Sequence, residues 1–341
     1  MTDVALVKPY RLAANADQAY TGSKPYGEGF LLTPTERDVL TESDPESASV
    51  IFPYINGEDL NSRPDQTPSR FVIDFGNRSL EEARRFKGAF EIVNRLVRPY
   101  REQVKCERTR IQWWLHERPR AELYSRLGRR PDVLVCSEIT KYLCFCFVRS
   151  DYVFSANLDI FPEADEALFA VLQSSIHELW GRFYSSPLTE RLKYSPGNAY
   201  ETFPQPLVHS ELHSVGTTYH GERRAIMLSR GEGLTSVYNR FHNPAHREAD
   251  IENLRGVHMS MDKSVVDSYG WPTSDLGYDF HITKQGVRFT LAVEARQDVL
   301  DRLLKLNHER YAAEVAADEC EEGKKQKKSP KKRMAQAPTL F

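Results

Sequence analysis

Within thirty residues the chain runs "DVLVCSEI" (132–139), "KYLCFCFV" (141–148) and "YVFSANLDIF" (152–161), three segments dense in β-branched and aromatic side chains. Such density suits the pleated, half-buried surface of a sheet. Directly after them, "EALFAVLQSSIHELWGRFYSS" sets Leu168, Leu172, Leu179 and Phe183 on one stripe, which predicts a single amphipathic helix covering that sheet. These four stretches confine the chain to the α+β class, with a mixed sheet flanked by helices.

Upstream, "SRFVIDF" alternates Phe71, Ile73 and Phe75 against Val72 and Asp74, as a half-buried strand does. Ser79 followed by Glu82 forms a capping-box signature, and Leu80, Ala83, Phe86, Phe90, Val93 and Val97 continue the helical pattern until Pro99. "RAELYSRL" predicts a second short helix ending at Gly128. Residues 1–50, rich in Gly, Pro, Thr and Asp, read as an irregular segment joined to a domain over 51–206. Beyond 207 helical periodicity dominates, predicting a mainly helical domain over 207–317. Residues 318–341 carry "DECEE" and then "KKQKKSPKKR", a composition expected to give a disordered charged tail because it buries too little apolar surface to offset its ordering entropy.

Charge bears on partners. The net charge of −2 excludes a globally basic protein. Residues 78–130, however, hold fifteen Lys/Arg against seven Asp/Glu, as a polyanion-binding face or a solvated helical surface would. The longest apolar run, Leu143 to Val148, falls far short of the ~20 residues of a membrane helix. The opening "MTDVALVKPYRL" has no signal-peptide core. No membrane association and a cytoplasmic location are expected. Five cysteines without a C-x-x-C pair predict neither disulfide nor zinc, with Cys144 and Cys146 acting as small hydrophobes.

Complete catalytic motifs are lacking. Asp132, Glu138 and Lys141 resemble the two acids and the lysine of metal-dependent nucleases, but Ile139 and Thr140 intervene where such sites have one residue. "HNPAH" lacks the second proline and the aromatic ring of the loop with which amino-methyltransferases grip a flipped base. His209, His213 and His220 have no acid or cysteine at a recognised offset, and Gly181 stands where His177-Glu178 would need a second histidine. There is neither a P-loop nor a G-x-G-x-x-G.

A set of longer blocks is more specific. "FPYINGEDLNSRPDQTPSRFVIDF", "IQWWLHERPRAELY", "ITKYLCFCFV", "VLQSSIHELW" and "LKYSPGNAYETFPQP" resemble, in the same order, the target-recognition region of MmeI-type (type IIL) restriction–modification enzymes and related adenine-specific DNA methyltransferases. "YNRFHNPAHREADIENLRGVHMSMDKSVVDSYGW" and "KQGVRFTLAVEARQDVLDRLLKLNHERYAAE" look like that family's helical ending. The resemblance covers nearly all of residues 20–316. It implies a target-recognition domain over 51–206 that reads double-stranded DNA in a phage-defence system. It also implies S-adenosylmethionine as a cofactor, bound by a methyltransferase subunit or domain and not by these residues, with no catalysis by the chain alone.

Reading a duplex requires side chains for base edges, held in register by phosphate contacts. In "LNSRPDQTPSR", Arg63 suits a guanine edge or a phosphate, Asn61 and Gln66 suit adenine, and Ser69 with Arg70 suit backbone oxygens. Arg63 and Asp65 could equally pair to stabilise the loop. Thr140, Lys141 and Tyr142, with Lys193, Tyr194 and Ser195, are further phosphate-contact candidates; Trp113 and Trp114 read as core, and Arg108 and Arg110 beside them are expected to face solvent or phosphate. Two other classes stay open: a magnesium-dependent nuclease using Asp132 and Glu138, and a non-catalytic interaction or remnant module.

Overall fold

The computed structural model describes residues 8–185, 187–188, 191–206, 211–272 and 276–328, with side chains up to residue 318. The chain begins with β1 (Tyr20–Thr21), β2 (Leu31–Leu32), α1 (Pro34–Ser43), β3 (Ile51–Ile55), α2 (Gly57–Ser62) and β4 (Arg70–Ile73). Five short helices follow: α3 (Leu80–Ala83), α4 (Lys87–Leu96), α5 (Arg98–Arg101), α6 (Glu107–Ile111) and α7 (Ala121–Arg126). Then come β5 (Asp132–Ser137), β6 (Ile139–Thr140), β7 (Phe145–Arg149), β8 (Val153–Phe154) and β9 (Leu158–Phe161). The remainder is α8 (Glu166–Gln173), α9 (Ser175–Tyr184), β10 (Pro187–Leu188), β11 (Arg191–Lys193), α10 (Leu212–Arg230), α11 (Leu234–Phe241), α12 (Ala249–Ser268), β12 (Asp279–Thr283), β13 (Gly286–Thr290) and α13 (Val293–Lys328).

Two four-stranded sheets organise the fold. One is antiparallel, in the order β1-β9-β5-β7. The other runs β2-β4-β3-β8, and its β3–β8 pair is parallel, so that it is mixed, as the sequence predicts. Between β8 and β9 the chain crosses from one sheet to the other in three residues, and the Ser155 amide donates to Ile55 O at 2.9 Å to hold that corner. A smaller core of Phe30, Val50, Ile73, Phe75 and Val93 lies on the second sheet, with Trp113 buried and Trp114 packed against it. Residues 30–50, read from the sequence as irregular, therefore belong to this core and contain α1, whose Thr33–Glu36 capping box opens on Pro34. The larger core draws on residues from Ile55 to Leu304.

Two helices expected to be continuous are divided. The pattern expected to run from Ser79 to Pro99 does begin at the predicted capping box, but α3 ends at Ala83 and α4 starts afresh at Lys87. The reason lies forty residues upstream: Asp44 Oδ2 accepts from the Gly88 amide at 2.7 Å, and Ser47 Oγ from the Ala89 amide at 3.1 Å. Those are the orphan donors of a helix start, capped here by a distant segment. Likewise "EALFAVLQSSIHELWGRFYSS" forms two helices. Ser174 caps α9 by accepting from the His177 amide at 3.2 Å, and Asp262 of α12 takes the Ser175 amide at 2.8 Å. Its buried positions include Ala167, Phe169, Ala170, Val171, Ile176 and Trp180 besides Leu172, while Phe183 of the expected stripe is exposed.

One hairpin, β12–β13, lies inside the region read as helical. Its strands pair Phe280 with Phe289 and Ile282 with Val287 across a turn at Lys284–Gln285. The last helix continues to Lys328, into the stretch where the charge run begins; residues 329–341 lie outside the described ones. Among the described residues no helix is long and apolar enough to cross a membrane.

Arg223 of α10 is fully buried. Its guanidinium donates to Gln173 Oε1 of α8 at 2.8 Å, to Phe145 O of β7 at 2.5 Å and to Tyr238 Oη of α11 at 3.3 Å. Replacement by an apolar residue strands those acceptors. Arg223→Met is expected to cost on the order of 3 kcal/mol, since hydrogen bonds to charged groups contribute ~1.5–3 kcal/mol each. Urea unfolding monitored by circular dichroism measures it, and an unchanged midpoint would refute the role.

Candidate nucleic-acid interface

The carboxyl end of β5 gathers several of the sequence's candidate segments. At that end the Glu138 amide donates to Asn157 O at 2.9 Å. Helix α2 sits against it: Asn61 Nδ2 donates to Ser137 Oγ at 2.7 Å, and a Cβ added at Gly57 would stand 3.3 Å from the same hydroxyl. Asn56 starts α2 by accepting from the Glu58 and Asp59 amides at 2.8 and 3.0 Å. Much of the predicted loop is therefore this capped helix. At its other end Ser62 abuts Gly233, where an added Cβ would meet Ser62 backbone carbon at 2.4 Å, so only glycine lets α11 approach.

Helix α11 links Arg63 to Lys141. Arg63 follows Ser62 at the amino end of α11; about 9 Å along the axis, Asn239 Oδ1 accepts from Lys141 Nζ at 3.0 Å and from Tyr142 Oη at 2.7 Å. Lys141 is exposed and Tyr142 is not: its ring stacks on Tyr238 and on His242. Lys193 lies beside them, because β11 pairs with β6 and sets Lys193 opposite Ile139, with Glu138 3.3 Å from its ammonium. Arg182, which sequence reasoning missed, donates to Lys141 O at 2.9 Å.

Among the candidates from the loop, Arg63 donates to Thr67 Oγ1 at 3.1 Å and faces Asp65 at 3.5 Å, with 43% of its side chain still exposed. The pair with Asp65 and the bond to Thr67 order the loop, and part of the Arg63 side chain stays exposed. Arg70 lies elsewhere, at the start of β4 opposite Tyr54, 3.6 Å from Glu28. Ser69 and Ser195 are half-buried. Arg108 and Arg110 are exposed on α6, and Arg108 lines a cavity of about 320 Å³ with Thr21, Arg118 and Arg120.

Four candidates are corrected by burial. Gln66 is buried and its amide donates to Leu60 O at 3.2 Å; Thr140 Oγ1 donates to Tyr142 O at 2.6 Å; Tyr142 is held as described; and Tyr194, fully buried, bonds His177 Nε2 at 3.0 Å. Their polar atoms serve the fold, so none presents its side chain to a groove. Asn61, with its amide donating to Gly57 O at 2.6 Å and to Ser137, spends both donors. The surplus of cations in residues 78–130 also divides. Arg101 is buried against Tyr26 and Phe30, whereas Arg84, Arg85, Lys87 and Arg95 are exposed.

The nuclease arrangement is overturned by the strand itself. Asp132 opens β5 and Glu138 follows its end, so six residues at ~3.3 Å each separate them by roughly 20 Å. One magnesium ion, with ligands at ~2 Å, cannot bridge that gap. His213 faces Glu166 at 3.0 Å, His220 is wedged between Phe147 and Phe169, and His209 lies outside the described residues. "HNPAH" is structural: buried Arg255 gathers the carbonyls of Arg240, Phe241, Asn243 and His246, closing the end of α11.

Comparison with known proteins agrees with this architecture. The family model of the MmeI target recognition domain matches residues 3–207. The chain belongs to that family. The chain is also similar to a solved structure, the type IIL restriction–modification enzyme MmeI in complex with DNA, at a TM-score of 0.65 and 18% identity. That match covers 89% of this chain and 38% of the enzyme, so the chain spans well under half of the enzyme's length. No curated protein matches.

On β9, Asp159 is a buried acid with a strongly perturbed pKa. Burial, and then the nearby Glu138, push its pKa up to about 8, against the Thr21 hydroxyl and Arg120. One carboxylate oxygen has no partner, and the other takes the Thr21 hydroxyl at 3.3 Å. The folded value lies above the ordinary one of 3.8. The stability tied to its proton is therefore complete below the ordinary value and lost as pH rises towards about 8. Wild type is expected to lose on the order of 1–3 kcal/mol between about pH 5 and pH 8, and Asp159→Asn to lose much less. Thermal unfolding across that range checks it, and parallel curves for the two proteins would exclude Asp159 as the source.

Proposed function

We propose that this chain reads a short sequence in double-stranded DNA and directs adenine methylation, with or without cleavage, by a methyltransferase subunit or domain. The observation that supports the reading best is the meeting of Arg63, Lys141, Lys193 and Arg182 around α11 and the carboxyl end of β5. These side chains stand on short elements whose ends are capped or hydrogen-bonded, and such rigidity suits a surface that must hold register on a duplex. Family membership and the likeness to MmeI bound to DNA support the same reading. In it, residues 51–206 form the recognising part, residues 207–317 pack against it and help to position its cations through α11, and S-adenosylmethionine and the flipped adenine are bound by the methyltransferase.

Different contacts make different predictions. Lys141, a flexible cation on the surface, is read as a phosphate contact. Lys141→Ala should weaken binding equally on all sequences and reduce the magnitude of the salt slope by about 0.9. Arg63, planar and held at one edge by Asp65 and Thr67, is read as a base contact. Arg63→Ala should relax preference at one position of the site, costing about 1–3 kcal/mol there. Fluorescence titration on a panel of single-base variants over a range of salt separates the two. A slope near zero for the wild-type chain would defeat the DNA reading altogether, and uniform weakening by Arg63→Ala would move that residue to the backbone.

A further inference from the structure

A groove of about 530 Å³ lies between α9, the β12–β13 hairpin and the start of α13. Its charged lining consists of Glu178, Arg182, Lys284, Arg288 and Arg296. Four cations thus face one acid, and that acid is already occupied: Arg182 Nε meets Glu178 Oε1 at 2.7 Å. Burial would raise the Glu178 carboxyl, but Arg182 beside it, with help from Arg288, holds its pKa below the ordinary value.

Arg288 is the unusual member. It is only 7% exposed and its guanidinium lies 4.4 Å from the centre of the Tyr142 ring, yet its Nη2 has no protein acceptor. The same holds for the buried Nε of half-buried Arg296. A guanidinium remains charged in any protein environment, and a buried N–H without an acceptor is costly. Such donors, at the wall of an open cavity with a surplus of positive charge, fit an oxyanion. Buried Tyr142 connects Arg288 to the interface, since the Arg288 guanidinium lies over its ring and Asn239 bonds both its hydroxyl and Lys141.

We infer that this groove binds a phosphodiester of the duplex that runs past Lys141, with Arg288 and Arg296 donating to the oxyanion and Arg182 and Lys284 supplying field. The inference rests on the DNA reading above and extends it to a hairpin outside the matched family region. Its walls also include Leu179, Phe183 and Ile282, apolar surface that a sugar edge can cover. The volume is far beyond one phosphate ion, in keeping with a segment of nucleic-acid backbone.

Two titrations of the full chain test it. Inorganic phosphate, followed by thermal unfolding, should raise the wild-type midpoint with saturation and raise that of Arg288→Gln much less. Duplex titrations over a range of salt should show Arg288→Gln lowering the slope by about 0.9, with equal losses on matched and scrambled sequences. If Arg288→Gln does not fold, Arg296→Gln combined with Lys284→Gln, at the exposed tip of the hairpin, carries both measurements. Saturable phosphate protection with an unchanged slope would overturn the assignment in favour of a free-anion site, and no protection at all would remove the site. Displacement of phosphate by polyglutamate but not by duplex would reassign the groove to an acidic protein segment. A wild-type chain that binds no duplex but gains Arg288-dependent stability from phosphate would defeat the DNA reading while leaving an anion site in place.

Discussion

A buried guanidinium holds this fold in register. Arg223 reaches from α10 into the larger core and donates to β7, α8 and α11 at once. Gln173, which accepts from Arg223, also accepts from the Phe145 amide at 2.9 Å, so the edge of the first sheet is locked to the helical layer by two polar bridges as well as by apolar contact. Apolar packing tolerates sliding, whereas a charged donor with fixed acceptors does not. That is why α11 occupies one position, and the interface depends on α11 occupying it.

From that anchor the geometry of the surface follows by short steps. Tyr238, bonded to Arg223, stacks on Tyr142, whose hydroxyl meets Asn239 one residue along the same helix. Lys141 is thereby aimed outward while its neighbour is buried. At the helix start Gly233 admits α2, and α2 carries Arg63 to the surface. Buried Arg255 closes the other end of α11 by collecting four carbonyls. The exposed cations thus sit over a buried layer that includes Tyr142, Tyr238 and Arg255, and such a layer fixes their positions.

The distribution of charge has a similar logic. A net charge of −2 keeps long-range attraction to a polyanion weak, so the attraction this chain can offer one lies in local concentrations of cations. Some arginines of the basic segment are used for structure, Arg101 most clearly, since burial against Tyr26 and Phe30 makes it a packing element. Others, among them Arg84, Arg85 and Arg95, are exposed, while cations from outside the segment gather around Lys141 and in the groove beneath the hairpin. Sequence counting registers both kinds equally. Only burial separates them.

The sequence by itself determined the fold class, the strands around Val135, Phe147 and Ile160, the capping box at Ser79 and the family, because each is written in local periodicity or in ordered blocks of residues. It also indicated the loop of Arg63 and the exposed Lys141. Tertiary structure decided the rest. Asp44 and Ser47 cut one expected helix and Asp262 helped to cut another, by capping amides from far along the chain. Gln66, Thr140, Tyr142 and Tyr194 have the chemistry of DNA contacts but are buried, while Arg182 and Arg288 carried no local signal and came to the surface groove through strand pairing and helix packing. A side chain's chemistry is local, but its exposure is set by what the distant chain lays over it, and that is a property of the folded whole.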